Sequence, residues 1–131
     1  MLKVLYFVFV FALVACSTNG NGTNGEQTEK IVGTWQSPSI EHCDDDWVCM
    51  DDCAWFYEFN ADSTGMENLY CFGYGLIIQE NIAWSINGNS LCLRYENPNI
   101  QFNCMQFFFM DDGRLMYGES LTRVNGLPND K

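Results

Sequence analysis

The chain has 131 residues and a formal net charge of −11, from 6 Lys and Arg set against 17 Asp and Glu. Such an acid excess argues against nucleic acid and against direct docking on anionic lipid, and reads first as a solubilising surface. No long helical periodicity runs through the sequence, which excludes a helix bundle.

The chain opens MLKVLYFVFVFALVAC, where Lys3 precedes an unbroken apolar run from Val4 to Ala15. That run has the length of a secretory leader's apolar region and falls short of the ~20 residues a helix needs to cross a bilayer. Its end, Leu13-Val14-Ala15-Cys16, resembles the lipobox of bacterial lipoproteins. The resemblance implies a signal peptide over 1–15, cleavage before Cys16, and acyl chains on Cys16 that anchor the protein to a lipid bilayer, since two or three chains hold firmly where one does not. Ser17 in the next position implies release to the outer membrane of a bacterial cell envelope. An ordinary signal peptide with a chance cysteine is the alternative. Residues 17–30, STNGNGTNGEQTEK, are rich in Asn, Gly and Thr, so 16–30 reads as a lipidated Cys with a flexible tether. One small domain is then expected over 31–124, with a tail over 125–131.

Residues 42–53, HCDDDWVCMDDC, raise the question of a metal. His42, Cys43, Cys49 and Cys53 offer four zinc ligands but no Cys-x-x-Cys knuckle, and an exported chain meets an oxidant first. Asp44, Asp45, Asp46, Asp51 and Asp52 suit calcium by chemistry but lack the spacing of an EF-hand loop. The expectation is therefore no metal, only a crosslinked, solvated loop. Trp47 and Val48 within it are expected to cap one end of the domain, with an exposed contact tip as the alternative.

From Trp55 onward, turn signals recur every eight to fifteen residues between segments rich in aromatic and β-branched side chains, the rhythm of an all-β sandwich or barrel. A two-residue Gly88-Asn89 loop pairs Ile86 with Leu91, Trp84 with Leu93 and Ile82 with Tyr95, which places every large apolar residue on one face. A loop at Asp111-Asp112-Gly113 pairs Phe109 with Leu115 and Phe107 with Tyr117. A similar loop pairs Asn60 with Thr64, with Ser63 in a position glycine takes more easily.

These registers arrange the cysteines. Apart from Cys16, six of the 7 remain, an even number that in a small exported domain indicates a disulfide framework. A loop centred on Pro98 pairs Tyr95 with Gln101 and sets Cys92 opposite Cys104, and the Asn60–Thr64 register sets Cys53 opposite Cys71. Directly opposed strand residues are close enough for a disulfide. By elimination, Cys43 joins Cys49.

The stretch IVGTWQ contains Gly33-Thr34-Trp35, and LTRV near the end contains Arg123. Together with FNADSTG, AWSINGNSLCLRY and FFFMDDGRLMYG between them, they resemble the small lipocalin-like domains of bacterial lipoproteins. The resemblance implies an all-β, antiparallel up-and-down meander closing into a small barrel, with Arg123 packed over Trp35 at one end. Physically, a guanidinium over an indole gains cation–π attraction. The chain is shorter than lipocalins proper and richer in cysteine.

Two functions follow. The first is a binding module for a small apolar ligand, walled by Trp55, Tyr57, Trp84, Leu93, Phe107 and Tyr117, which the registers turn inward. The same residues would otherwise make a solid core. The second is an interaction module that meets a protein partner through loop 42–53 and exposed aromatics such as Phe56 and Tyr74. An enzyme is not expected: there is 1 His, no G-x-S-x-G elbow and no phosphate-cradling loop. Glu58 and Glu67 read as surface residues, and no cofactor is implied.

Overall fold

The computed structural model describes residues 24–128. The expectations for the leader over 1–15 and for Cys16 lie outside the described residues.

Alternating apolar and polar residues fold into nine strands: β1 Gly33–Gln36, β2 Ile40–Cys43, β3 Cys49–Phe59, β4 Thr64–Cys71, β5 Gly75–Asn87, β6 Ser90–Tyr95, β7 Asn103–Phe109, β8 Leu115–Tyr117 and β9 Glu119–Val124. Each of β3 to β9 pairs antiparallel with the next, and β9 pairs with β1. β1 also pairs with the second half of β3, Gly33 opposite Phe59 and Gln36 opposite Phe56, which closes an eight-stranded barrel. β2 lies outside that circle on the first half of β3, with Ile40 opposite Cys53 and Cys43 opposite Cys49.

The expected registers are present in all but one ladder. Ile86 faces Leu91, Trp84 faces Leu93 and Ile82 faces Tyr95; Phe109 faces Leu115 and Phe107 faces Tyr117. Gly88 alone supplies the positive φ, 60°, at the first central position of its turn, the arrangement of a type II′ hairpin. Ser63 takes a φ of 70°, and Asp62 holds that loop by accepting from the Thr64 amide at 3.0 Å and the Thr64 hydroxyl at 2.5 Å. Disulfides join Cys43 to Cys49, Cys53 to Cys71 and Cys92 to Cys104. One ladder is shorter than expected. β6 and β7 separate after Leu93–Asn103, so Tyr95 does not pair with Gln101. Asn97 draws the chain aside, its side chain accepting from the Asn99 amide and its carbonyl from the Ile100 amide, each at 3.1 Å.

The tether expected through residue 30 differs at its end, because Asn24–Ile31 form a helix, α1. An Asn- and Gly-containing segment has little helical propensity of its own. Here the helix is held by Ile31, fully buried in the barrel core, and by the Trp35 indole, whose Nε1 donates to the Ile31 carbonyl at 2.7 Å.

In an up-and-down barrel successive hairpins fall at opposite ends. The loops at 60–63, 88–89 and 110–114, the start of β1 and α1 share one end. The loops at 72–74 and 96–102, the Gly118 turn and the corner at 37–39 share the other. The first end is sealed by a continuous core of Trp35, Phe59, Trp84, Leu91, Leu93, Leu115 and Leu121, with Phe107 and Tyr117 beneath. Trp84 ties its hairpin down, its Nε1 donating to the carbonyls of Asn60 at 3.1 Å and Thr64 at 3.0 Å. The Arg123 guanidinium lies 4.5 Å from the centre of the Trp35 ring and donates to the carbonyls of Val32, at 2.9 Å, and Lys30. Gly33 allows that approach: its φ is +140°, and a Cβ there would stand 2.8 Å from Arg123 Nη1.

Two expectations on side-chain placement are corrected. Phe56 is buried, not an exposed contact. It packs edge-on to Tyr70 on the outer face of the barrel, ring centroids 5.5 Å apart, under Val124 and Leu127. Trp47 and Val48 cap nothing, being 86% and 55% exposed. The tight turn after β2 explains this: Asp44 accepts from the amides of Asp46 at 3.0 Å and Val48 at 2.9 Å, and Trp47, at a φ of 61°, is turned outward.

Candidate functional site at the open end of the barrel

The inward-facing rows change character toward the second end. Directly opposite Tyr57 on β3 stands Glu67 of β4, and directly opposite Glu67 stands Glu80 of β5. Side chains alternate across a strand, so a residue opposite an inward one is also inward. Tyr95, Tyr117 and Glu119 reach the same space from β6, β8 and β9, which the register also requires: Ile82 with Tyr95, Phe107 with Tyr117, Tyr117 with Glu119. Tyr57, Glu67, Glu80, Tyr95 and Glu119 are half-buried, where the residues of the sealed end are not. The barrel therefore has a solid apolar base at one end and, toward the other, an inward layer of half-buried carboxylates and phenols.

The Glu67 carboxylate is the centre of this group. The hydroxyls of Tyr95 and Tyr57 lie close enough to it to favour its charged form. Burial nevertheless holds its pKa above the ordinary value, with the tyrosine hydroxyls working the other way and Glu80 adding to the rise. Burial likewise raises Glu119. The tyrosines respond in kind. Burial, then the neighbouring carboxylate Glu67, pushes Tyr117 up to about 12, and burial first, then Glu67, raises both Tyr57 and Tyr95. These phenols act as neutral donors and acceptors. Tyr57 meets Tyr117 edge to face, centroids 6.2 Å apart. Glu80 accepts from the Asn97 side chain at 3.2 Å. The Tyr117 hydroxyl is buried and has no hydrogen-bond partner.

The six residues expected to wall a pocket divide. Trp84, Leu93 and Phe107 are buried in the base. Tyr117 forms the floor of the mouth and Tyr57 its side. Trp55 stands on the same face as Tyr57, one step further toward the second end, and packs with Leu69 opposite it, Ile78 and the Cys53–Cys71 pair. Glu67, read from sequence as a surface acid, is the functional residue that reading missed. Extending the Asn60–Thr64 register three residues further places it opposite Tyr57 and hence inward.

An open cleft of about 510 Å³ lies over β4, β5 and β6, where Thr64, Met66, Asn81, Arg94, Tyr95 and Glu96 are among the residues that line it. None of the six expected residues borders it.

The metal readings of loop 42–53 find no supporting arrangement. Among the described residues, the group of His, Cys, Asp and Glu side chains close enough to share an ion is Glu41, Cys43 and Cys49, and both cysteines are spent in one disulfide. Asp44 is occupied in holding its turn.

The profile of the lipocalin-like domain matches residues 31–115, from the buried Ile31 to Leu115 in β8. The chain belongs to the lipocalin-like domain family. No curated protein and no solved structure matches it. In this lipocalin-like domain the matched span includes Tyr57, Glu67, Glu80 and Tyr95, while Tyr117, Glu119 and Arg123 lie just past it.

Proposed function

We propose that this lipocalin-like domain binds a small ligand through its open end, while an acylated Cys16 holds it on a membrane of the bacterial cell envelope, the outer membrane by the Ser17 reading. The observation that carries the binding role is the contrast between the two ends. One is filled by Trp84, Leu93, Leu115 and Leu121 and covered by Arg123, whereas the other turns half-buried carboxylates and phenols inward. A solid barrel has no need to turn carboxylates and phenols inward. Apolar contact comes from Tyr57, Tyr95 and Tyr117, which offer ring faces and edges to an organic body. The barrel supplies rigid walls, so the ligand meets a preorganised site. The family is typically one of non-enzymatic binding proteins, which fits this reading.

Native mass spectrometry of the chain isolated gently from its host tests the binding role. A co-purifying mass lost on Tyr57→Ala is the expected result, and a clean apo mass from several preparations counts against it. Labelling with an alkyne fatty acid tests the anchor, with incorporation expected in the wild type and absent in Cys16→Ala.

A second reading rests on Trp47. An indole 86% exposed at the tip of a crosslinked acidic turn is a costly thing to leave in water. It supports an interaction module that meets a protein partner through loop 42–53. Crosslinking in cells compares the wild type with Trp47→Ser, and an unchanged set of partners removes this reading.

A further inference from the structure

We propose that the ligand is an organic cation, a small amine with an apolar body whose ammonium sits among Glu67, Glu80 and Glu119 and whose body rests on Tyr57, Tyr95 and Tyr117. The inference deepens the small-ligand reading above and rests on it.

The first argument is charge. Glu67 and Glu80 are directly opposed on adjacent strands, a placement that is unfavourable for like charges unless something offsets it. Glu119 joins them from β9, close enough to influence Tyr57. The described cations are all engaged elsewhere. Lys30 pairs with Glu26 at 2.7 Å and Arg114 with Asp112 at 2.7 Å. Arg94 lies over Phe102, and Arg123 covers Trp35. Among the described residues nothing in the protein neutralises the mouth.

The second argument is independent of charge. Tyr117 is only 3% exposed, and its hydroxyl, on the floor of the mouth near Glu67, has no partner. Buried polar atoms in native proteins are nearly always satisfied, so an orphan on the inward face beside Glu67 marks a place for a partner from outside. An ammonium N–H is a donor that a phenol oxygen accepts.

The third argument separates an amine from a metal ion. Calcium gathers six to eight oxygens around one point, yet the mouth carboxylates do not converge closely enough to form a shared ion site. They are spread along walls that alternate with aromatic rings. A cation attached to a carbon skeleton uses both, the carboxylates by charge-assisted hydrogen bonds and the rings by cation–π attraction.

Equilibrium binding to the full chain with protonated 2-phenylethylamine, its neutral isostere 2-phenylethanol and the anion 3-phenylpropanoate tests the proposal. The neutral dye Nile red reports whether the mouth accepts apolar molecules at all. The amine is expected to bind at least tenfold more tightly than either isostere. Glu67→Gln, which keeps the shape and the acceptor, is expected to weaken the amine roughly tenfold or more and to leave the alcohol unchanged. Glu119→Gln, at the rim, gives the same pattern more weakly and serves if Glu67→Gln does not fold. Equal binding of the three isosteres, or unaltered amine affinity in both folded variants, overturns the amine proposal. So does calcium chloride that displaces the amine at equal concentration. If Nile red binds while the amine shows no preference, the small-ligand reading stands without the cation. If no probe binds, both fall.

Discussion

Removing the disulfides one pair at a time separates what each contributes. In the chain-entropy picture a crosslink stabilises by shortening the excursions of the unfolded chain, by an amount that grows slowly with the closed loop. Sequence separations of 6, 12 and 18 for Cys43–Cys49, Cys92–Cys104 and Cys53–Cys71 convert to about 2, 3 and 3 kcal/mol. Entropy alone therefore does not distinguish the last two. Burial does. Cys53 and Cys71 are 0% and 1% exposed inside a cluster with Met50 and Leu69, whereas only one of the other two is buried, Cys92 at 4%, and Cys104 is exposed. Replacing the buried pair by alanine also empties space, at on the order of 1 kcal/mol for each sulfur by comparison with a deleted buried methylene. The expected order of loss is Cys53→Ala/Cys71→Ala, about 5 kcal/mol, then Cys92→Ala/Cys104→Ala, about 4, then Cys43→Ala/Cys49→Ala, about 2. Guanidinium unfolding of the three double variants, followed by tryptophan fluorescence, measures the order. A loss for Cys92→Ala/Cys104→Ala equal to or above that of the 53–71 pair would refute the burial argument. A loss for the exposed 43–49 pair above both would refute the entropic one.

Three further outcomes follow from named contacts. Gly33→Ala forces a side chain into a φ of +140° and against Arg123 Nη1; a cost of about 1–3 kcal/mol and a changed near-ultraviolet signal from Trp35 are expected in thermal melts and circular dichroism. Trp84→Phe leaves the Asn60 and Thr64 carbonyls without their indole donor, and denaturant titration is expected to show a loss of about 1–3 kcal/mol. The raised pKa of Glu67, caused first by burial, means that the folded state holds its proton more tightly than the unfolded chain does. Stability from this group is therefore present below the unfolded value near 4.5 and is lost as pH rises toward the folded value. Relative to the wild type, Glu67→Gln is expected to gain stability as pH rises above that point. Melting temperatures across an acid-to-neutral series check the sign, and a constant difference between the two proteins contradicts it.

Much of the barrel was legible in the sequence because its hairpins state their registers twice, once in the turn and once in the alternation of large side chains. Ile82, Trp84 and Ile86 can face the core only if Tyr95, Leu93 and Leu91 oppose them, and the cysteine pairs follow. Closure of the barrel was legible only through resemblance, since β1 has four residues and its two partners, β3 and β9, are far away in sequence. Helix α1 was hidden because its order comes from Ile31 and the Trp35 indole, contacts that local composition does not announce. The mouth was hidden for a different reason. Glu67 departs from the rule that ionisable residues face water, and a reading that assigns carboxylates outward removes the group that defines the site. Trp47 misled in the opposite direction, as a large apolar residue that the backbone turns away from any core.

β3 is eleven residues long, but β1 covers only its second half, and β2 takes the first. The strand is thus shared between a ring and an annex, and the break between the two partners falls at Ser37-Pro38-Ser39. The annex is held by β3 alone, through the Ile40–Cys53 and Cys43–Cys49 pairings, and the eight strands of the ring are paired without it. A change of length or charge in the annex would therefore leave every pairing that closes the vessel in place.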